Sequence, residues 1–349
     1  VAAAGIRQVD RLVAEDAYFR GSPYNPHWQW EDVQAAYGAP ANSLIFEENS
    51  IPFTLFSQTV GQPLRLEWQD AAEAKLWQVD NQTITVAEGE PEFIEVERSL
   101  SQPILTVRGQ LIAGSLPETT AVAEVNPAQR FVDRLEQALA TVGVQVGDTK
   151  IVAESVELAN AVEIAAIESP SLAELIAVVN QESNNLYAEA LLRSMGAAID
   201  PNHPSSATAG LEAVQQALTE LGVDPSSYNL SDGSGLSRLN AISPEALVQT
   251  LQAMAQSPLG DIYLDSLPLA GETGTLRYRF VDTPASGNVR AKTGTINGVS
   301  ALSGYIYPDT GRALVFSIVV NYADRSVEVQ REAIDAIVLQ LLRLQSCPV

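Results

Sequence analysis

Residues 289–321 constrain this chain more than any other stretch. They read Val-Arg-Ala-Lys-Thr-Gly-Thr-Ile, then Asn297-Gly298, then two apolar runs, 299–307 and 312–322, separated by Pro308-Asp309-Thr310-Gly311. Asn-Gly between apolar segments is a strong hairpin signal, because these residues tolerate the backbone angles of a two-residue turn. The second cluster reads as another turn, giving three antiparallel strands with Lys292-Thr293-Gly294-Thr295 on the first. A strand lysine bordered by threonine hydroxyls and a side-chain-free glycine can hold a carboxylate while a substrate backbone lies against the strand. The alternative at this point is an ordinary strand with a solvated lysine.

Only three lysines occur among 349 residues, so one placed inside such a motif is less casual than usual. The length suits two or three domains, and 46% hydrophobic residues suffice for a sizeable core. The formal charge of −23 argues against nucleic acid and anionic membrane surfaces as partners. A single cysteine, Cys347, excludes an internal disulfide framework and a cysteine-based zinc site; with His27 and His203 as the only histidines, a histidine metal cluster is not expected, and nothing calls for a cofactor. No run of about 18 apolar residues marks a transmembrane helix, and no signal peptide is visible. The sequence opens Val1-Ala2-Ala3, without Met, which reads as a processed product or a fragment.

In chain order, Gly21–Pro26 is a loop leading to His27-Trp28-Gln29-Trp30-Glu31-Asp32 and Tyr37-Gly38-Ala39-Pro40. Two tryptophans and a tyrosine near Asp32 fit the wall of a ligand pocket or, equally, an aromatic cluster sealing a small β core. Short runs at 43–47, 52–57, 64–68, 83–87, 93–98 and 104–111 predict strands. The Glu-rich stretch 69–103 reads as a solvated subdomain without chemistry. Asn126-Pro127 starts a helix carrying Phe131, Leu135, Leu139 and Val142, ended by Gly143; strands are expected at 144–146 and 151–156. Ser169-Pro170 opens a helix with Leu172, Leu175, Ile176 and Val179 as its apolar stripe. Ser183 then stands where an N-cap would, so its hydroxyl either bonds a free backbone N–H or, with Asn185 two residues on, is presented into a cleft. Helices are expected at 210–221, 244–255 and 327–344, the last with Ile334, Ile337, Val338, Leu341 and Leu342 on one side against the sheet.

Three pieces thus stand in order: Ser183-Asn184-Asn185, Asp232-Gly233-Ser234-Gly235-Leu236-Ser237-Arg238, and Lys292-Thr293-Gly294-Thr295. The order S-x-N then K-T-G is that of the penicillin-recognising serine enzymes. The flanking text, Ser-Asn-Asn-Leu-Tyr-Ala-Glu-Ala-Leu-Leu, Asp-Gly-Ser-Gly-Leu-Ser-Arg, Ala-Gly-x-x-Gly-Thr-Leu and Arg-Ala-Lys-Thr-Gly-Thr, resembles the D-alanyl-D-alanine carboxypeptidase/endopeptidase family of class C low-molecular-mass penicillin-binding proteins, peptidase family S13. The resemblance is specific over 165–345 and weaker over 1–160, where Trp28-x-Trp30-x-Asp32 and Tyr37-Gly38-Ala39-Pro40 look like the family's inserted domains.

The resemblance implies an α/β (α+β) architecture: a β-lactamase-like transpeptidase domain, an antiparallel sheet flanked by helices with its N-terminal part missing, over 161–349, and β-rich inserted domains over 1–160. It implies an extracytoplasmic, periplasmic bacterial peptidase acting on peptidoglycan stem peptides, with β-lactams as mimics. A nucleophilic serine would form an acyl-enzyme that water hydrolyses. Ser183 would pass a proton to the leaving amine, Asn185 would hold the acyl-side amide, and Lys292 would support proton transfer and attract the terminal carboxylate. The Thr293 and Thr295 hydroxyls would bind that carboxylate beside Gly294, and the Thr295 N–H would be half of the oxyanion hole. Ser234, Leu236 and Arg238 on the Gly-rich turn would line the substrate site. Asp32, Tyr37, Arg238 and Asn297 are the candidates to read a zwitterionic diamino-acid end; the bland reading makes Asp32 and Arg238 ordinary surface charges.

One motif is missing. The family's nucleophile lies in Ser-x-x-Lys, but the residues three before the lysines here are Ala72, Gly147 and Val289. The expectation is a chain that begins inside the insertion, inactive by itself, with the nucleophile encoded upstream. The alternative is a non-catalytic peptidoglycan-binding protein on the same scaffold; a β-lactamase is disfavoured by the long inserted β region.

Overall fold

The computed structural model describes residues 1–156, 159–308 and 312–344; Asp309-Thr310-Gly311 of the expected second turn, and Cys347, lie outside them. The chain forms two compact units, residues 1–167 with 200–207, and residues 168–199 with 208–349.

The first unit contains β1 (Gln8–Glu15), β2 (Ser50–Phe56), β3 (Arg65–Trp68), β4 (Gln78–Val86), β5 (Phe93–Arg98), β6 (Ile104–Ile112), β7 (Glu118–Ala123), α1 (Pro127–Thr141) and β8 (Gln145–Val152). β2 is the centre of an antiparallel sheet, order β3-β2-β7. In the sheet β4-β6-β5, β6 pairs parallel with β4 and antiparallel with β5. The alternation of β2 buries Ile51, Phe53 and Leu55, which pack with Leu64, Trp77, Leu105 and Val107 in one core. The stretch 69–103 is therefore more than a solvated subdomain. Glu73 and Trp77 are buried, and the Glu73 carboxylate accepts from the Trp77 indole and from the Arg130 and Arg134 guanidiniums of α1. A buried carboxylate is tolerated only when paired in this way.

Residues 43–47 form no strand: Glu47, Glu48 and Asn49 all take positive φ, and the buried Asn49 amide donates to Pro40 O at 2.8 Å and Asn42 Oδ1 at 2.9 Å, pinning a tight turn. The two strands expected at 144–146 and 151–156 are the single β8, whose parallel partner β1 carried no alternation strong enough to find it. Asn126 caps α1 through the Gln129 N–H, as Asn-Pro implied.

The second unit holds α2 (Leu172–Gln181), α3 (Asn185–Ile199), all but the first two residues of α4 (Ser206–Glu220), β9 (Tyr228–Asn229), β10 (Ala241–Ile242), α5 (Pro244–Gln256), α6 (Gly260–Ser266), β11 (Val289–Ile296), β12 (Val299–Ile306), β13 (Leu314–Asn321) and α7 (Val327–Leu341). β11, β12 and β13 form the antiparallel sheet read from the sequence. Ile296 pairs with Val299 across Asn297-Gly298, with Gly298 at φ 78°. Period-two alternation gives the sheet two apolar faces. Leu302 and Ile306 of β12 pack with Ile334 and Val338 of α7, while Tyr305 packs with Leu251 of α5. Burying Ile334 and Val338 contributes about 1.5–3 kcal/mol each. Ile337, expected on the same stripe, is 47% exposed; the buried residues are spaced by four, and a turn offset carries Ile337 to the helix flank.

Candidate active site

Lys292 lies midway along β11, at the edge of its sheet. The adjoining segment covers that edge only at the start of the strand: Ala270 N–H bonds Val289 O at 2.9 Å, and Ala291 N–H bonds Pro268 O at 3.0 Å. Val289 and Ala291 thus turn their backbone groups outward, and at period two Thr293 and Thr295 turn theirs to the same side. There, among the described residues, no strand covers them. A Cβ added at Gly294 would meet only Ala301, at 3.5 Å, so the chain's own packing leaves that place open. The result is a strand edge with free outward N–H groups beside a glycine, the form that accepts an extended peptide.

Side chains alternate likewise. Val289 and Ala291 face the α7 core. Thr293 and Thr295 continue that face beyond it, where the Thr293 hydroxyl donates to Thr275 Oγ1 at 2.9 Å and Arg331 of α7 donates to Thr295 Oγ1 at 3.3 Å. The Lys292 ammonium instead donates to Ser183 Oγ at 2.7 Å and to Thr293 O at 2.8 Å. Burial lowers its pKa from 10.5 to about 8, because a desolvated ammonium favours its neutral form.

Ser183 sits between α2 and α3 at φ 57°, a left-handed conformation uncommon for a residue with a side chain. It is not the cap of α3: that bond is made by Asn184, whose Oδ1 accepts from Tyr187 N–H at 3.0 Å. Ser183 Oγ is thus left to Lys292, and since it accepts from the ammonium its own proton can be donated onward. Asn185 opens α3 itself.

One turn further along α3 lies a group that sequence reasoning missed. Glu189 is 1% exposed and its Oε1 accepts from Gly233 N–H at 2.8 Å and Ser234 N–H at 2.9 Å, clamping the Gly-rich turn to the helix that carries Asn185. Burial, reinforced by the Asp232 charge, raises its carboxyl pKa. The only sequence signal was an acidic residue four before Arg193, which normally reads as a surface pair; Arg193 is 2% exposed. Within the turn, Asp232 accepts from the N–H groups of Gly235 (2.8 Å) and Ser237 (2.6 Å). A Cβ at Gly233 would come within 2.9 Å of Ala188 O, so only glycine fits there. Ser234 is half-buried, and Leu236 is buried and acts in packing. Arg238 is exposed and its Nη1 donates to Asn297 O at 2.6 Å, tying the turn to the β11–β12 hairpin.

The second unit therefore brings Ser183, Asn185, Lys292, Thr293, Gly294 and Thr295 onto two neighbouring elements, with Ser234, Arg238 and Asn297 joined through the turn. Ser183, Thr275, Thr293, Thr295 and Arg331 line a cleft of about 530 Å³. Asp32 and Tyr37 belong to the first unit, where the Tyr37 hydroxyl donates to Asp32 Oδ1 at 3.2 Å. Trp28 is buried while Trp30 and Tyr37 are exposed, so the aromatic group divides between core and surface. Trp30 and Tyr37 border an open groove of about 1210 Å³ with β5 and β7 of that unit. No group of three or more His, Cys, Asp or Glu side chains suited to a metal occurs among the described residues.

A serine hydroxyl that accepts from a lysine of lowered pKa thus stands beside an open strand edge, a proton-donating pair next to a surface able to take an extended chain. The sequence profile of the D-Ala-D-Ala carboxypeptidase 3 (S13) family matches residues 1–344, and the chain belongs to that family. It is 34% identical over 334 residues to a D-alanyl-D-alanine carboxypeptidase of Actinomadura sp. (strain R39), covering 92% of this chain and 61% of that protein. It is 31% identical over 361 residues to the penicillin-sensitive carboxypeptidase A of Dictyostelium discoideum, covering 97% of this chain and 67% of that protein. Among solved structures, penicillin-binding protein 4 from Haemophilus influenzae superposes with a TM-score of 0.72 at 20% identity, covering 97% of this chain and 77% of that one. That likeness is one of fold, and it agrees with the mixed α/β architecture expected from the sequence.

Proposed function

We propose that this chain carries the proton-transfer and substrate-holding part of a serine-type D-Ala-D-Ala carboxypeptidase/endopeptidase acting on peptidoglycan stem peptides outside the cytoplasm, in the periplasm or its equivalent. The observation that carries the reading is the 2.7 Å bond from the Lys292 ammonium to Ser183 Oγ, next to the open edge of β11. The stem peptide adds to that edge as an extended strand. A nucleophilic serine within a Ser-x-x-Lys, which these 349 residues do not contain, attacks the D-Ala-D-Ala carbonyl. The Thr295 N–H, turned to the open edge, donates to the oxyanion. Ser183 gives its proton to the leaving nitrogen and is resupplied by Lys292, whose pKa near 8 lets it release and regain a proton close to neutrality. Asn185 holds the acyl-side amide, and water then hydrolyses the ester. β-Lactams enter as mimics of the dipeptide and acylate the same serine. Arg238, steadied by the Asn297 carbonyl, is the candidate for an acid group on the stem peptide. No described helix is long and apolar enough to cross a membrane.

The test is fluorescent penicillin on the full gene product and on this chain alone. The full product is expected to take one covalent label, on a serine of Ser-x-x-Lys outside residues 1–349, and Lys292→Ala to slow acylation by about 10²–10³-fold; this chain alone takes none. Label mapped to Ser183 overturns its role as proton donor. A full product that takes no label overturns the enzyme reading in favour of a non-catalytic wall-binding protein.

A further inference from the structure

We propose that Arg331, on α7, is the residue that recognises the carboxylate of the leaving group; this rests on the peptidase reading above.

A strand lysine beside two threonines is the obvious cation for a carboxylate, yet both close contacts of Nζ are directed to Ser183 Oγ and Thr293 O. With its ammonium directed to those two partners, a second cation beside the threonine hydroxyls is the group placed to meet an anion they hold.

The strand pattern supplies it. The face of β11 that packs on α7 through Val289 and Ala291 continues as Thr293 and Thr295. On α7 the core residue Ile334 is followed, one turn toward the helix start, by Arg331. Its Nη2 lies 3.3 Å from Thr295 Oγ1, and both groups line the 530 Å³ cleft with Ser183 and Thr293. A guanidinium keeps its charge at any relevant pH and presents a planar fork matched to a carboxylate. No ion pair within 4.0 Å engages it among the described residues, although its charge adds to the backbone hydrogen bond that lowers the pKa of Glu328, three residues earlier on α7. Glu328 and Glu332 line the same wall, and Asp335 is paired with Arg279. The charged lining residues sum to one net negative charge even with Arg331, so the guanidinium acts locally, beside Thr295, and not by setting the sign of the wall.

The arrangement divides the labour between two cations. Lys292 serves the proton path through Ser183, and Arg331, which lines the same cleft as Ser183, serves the leaving-group carboxylate through and beside Thr295. The cleft is also roomier than one alanine needs: about 530 Å³ falls in the range of pockets that enclose drug-sized ligands.

The experiment compares kcat/KM of the full gene product for a peptide ending in D-Ala-D-Ala and for the same peptide with its terminal carboxyl amidated. Arg331→Ala is expected to lower the acid-to-amide ratio about 10- to 100-fold, the size of a lost charge-assisted hydrogen bond. Arg331→Lys should restore part of the ratio, and melting temperatures should confirm that both variants fold. An unchanged ratio in a folded Arg331→Ala variant that still takes penicillin overturns the assignment. If the wild type neither cleaves the acid nor takes penicillin, the peptidase reading itself fails, and this inference with it.

Discussion

The buried Lys292 should weaken the fold that contains it. Its pKa falls from 10.5 to about 8, and at 1.36 kcal/mol per tenfold that corresponds to about 3 kcal/mol of destabilisation near pH 7. Lys292→Met keeps the length and apolar stem but removes the charge. It also removes the bonds to Ser183 and Thr293 O, each contributing about 0.5–1.5 kcal/mol, so the net gain near pH 7 is about 0–2 kcal/mol. The sign depends on pH. Between about pH 8 and 10.5 the unfolded chain holds a proton that the folded chain has released, so wild-type stability rises across that window relative to the variant, by about 2 kcal/mol at pH 10. The advantage of Lys292→Met near neutrality should therefore vanish or reverse in alkali. Urea unfolding of both proteins at a series of pH values measures this, and taking the difference cancels the tyrosines that titrate in the same range. A difference independent of pH would mean that Lys292 is an ordinary solvated ammonium, and the proton-path role would lose its physical basis.

Three further substitutions probe the scaffold around the site. Glu189→Ala strips the acceptor from Gly233 and Ser234 and leaves Arg193 without its buried partner; a loss of about 3–5 kcal/mol in urea unfolding is expected, and a loss below about 1 would mean that the clamp is not structural. Gly233→Ala drives a methyl to 2.9 Å from Ala188 O, and should cost about 1–3 kcal/mol by the same measurement. Asn184→Ala removes the cap of α3, and a melting-curve loss equivalent to about 1 kcal/mol is expected.

What the sequence made legible was whatever has a local signature. The β11–β12 hairpin follows from Asn297-Gly298, the start of α1 from Asn126-Pro127, and the site motifs from short strings of unusual chemistry. What it hid depends on long-range burial. Glu189 and Arg193 are spaced like any solvated helix pair, and nothing nearby says that both lie in the interior. Arg331 reads as one more charge on an amphipathic helix until the strand register places Thr295 opposite it. Ser183 was legible as a residue at a helix start, but local preference pointed to capping; only the structure hands that task to Asn184. The turn at Glu47–Asn49 is held by contacts of Asn49 with residues 40 and 42, which a period-two pattern cannot reveal.

The pairing of β1 with β8 has a consequence for how the first unit forms. Gln8 meets Gln145 at one end of the ladder and Glu15 meets Val152 at the other, so every other strand of that unit lies between them in sequence, like a phrase inside brackets. Closing a loop of that length from an open chain is slow, and each nested hairpin or ladder formed first shortens it. The brackets should therefore close last. They should also open first, since among the described residues this sheet has two strands only, and such pairs are marginal by themselves. Hydrogen exchange would then find the amides of β1 trading with solvent by a local opening that leaves β2 and β6 protected.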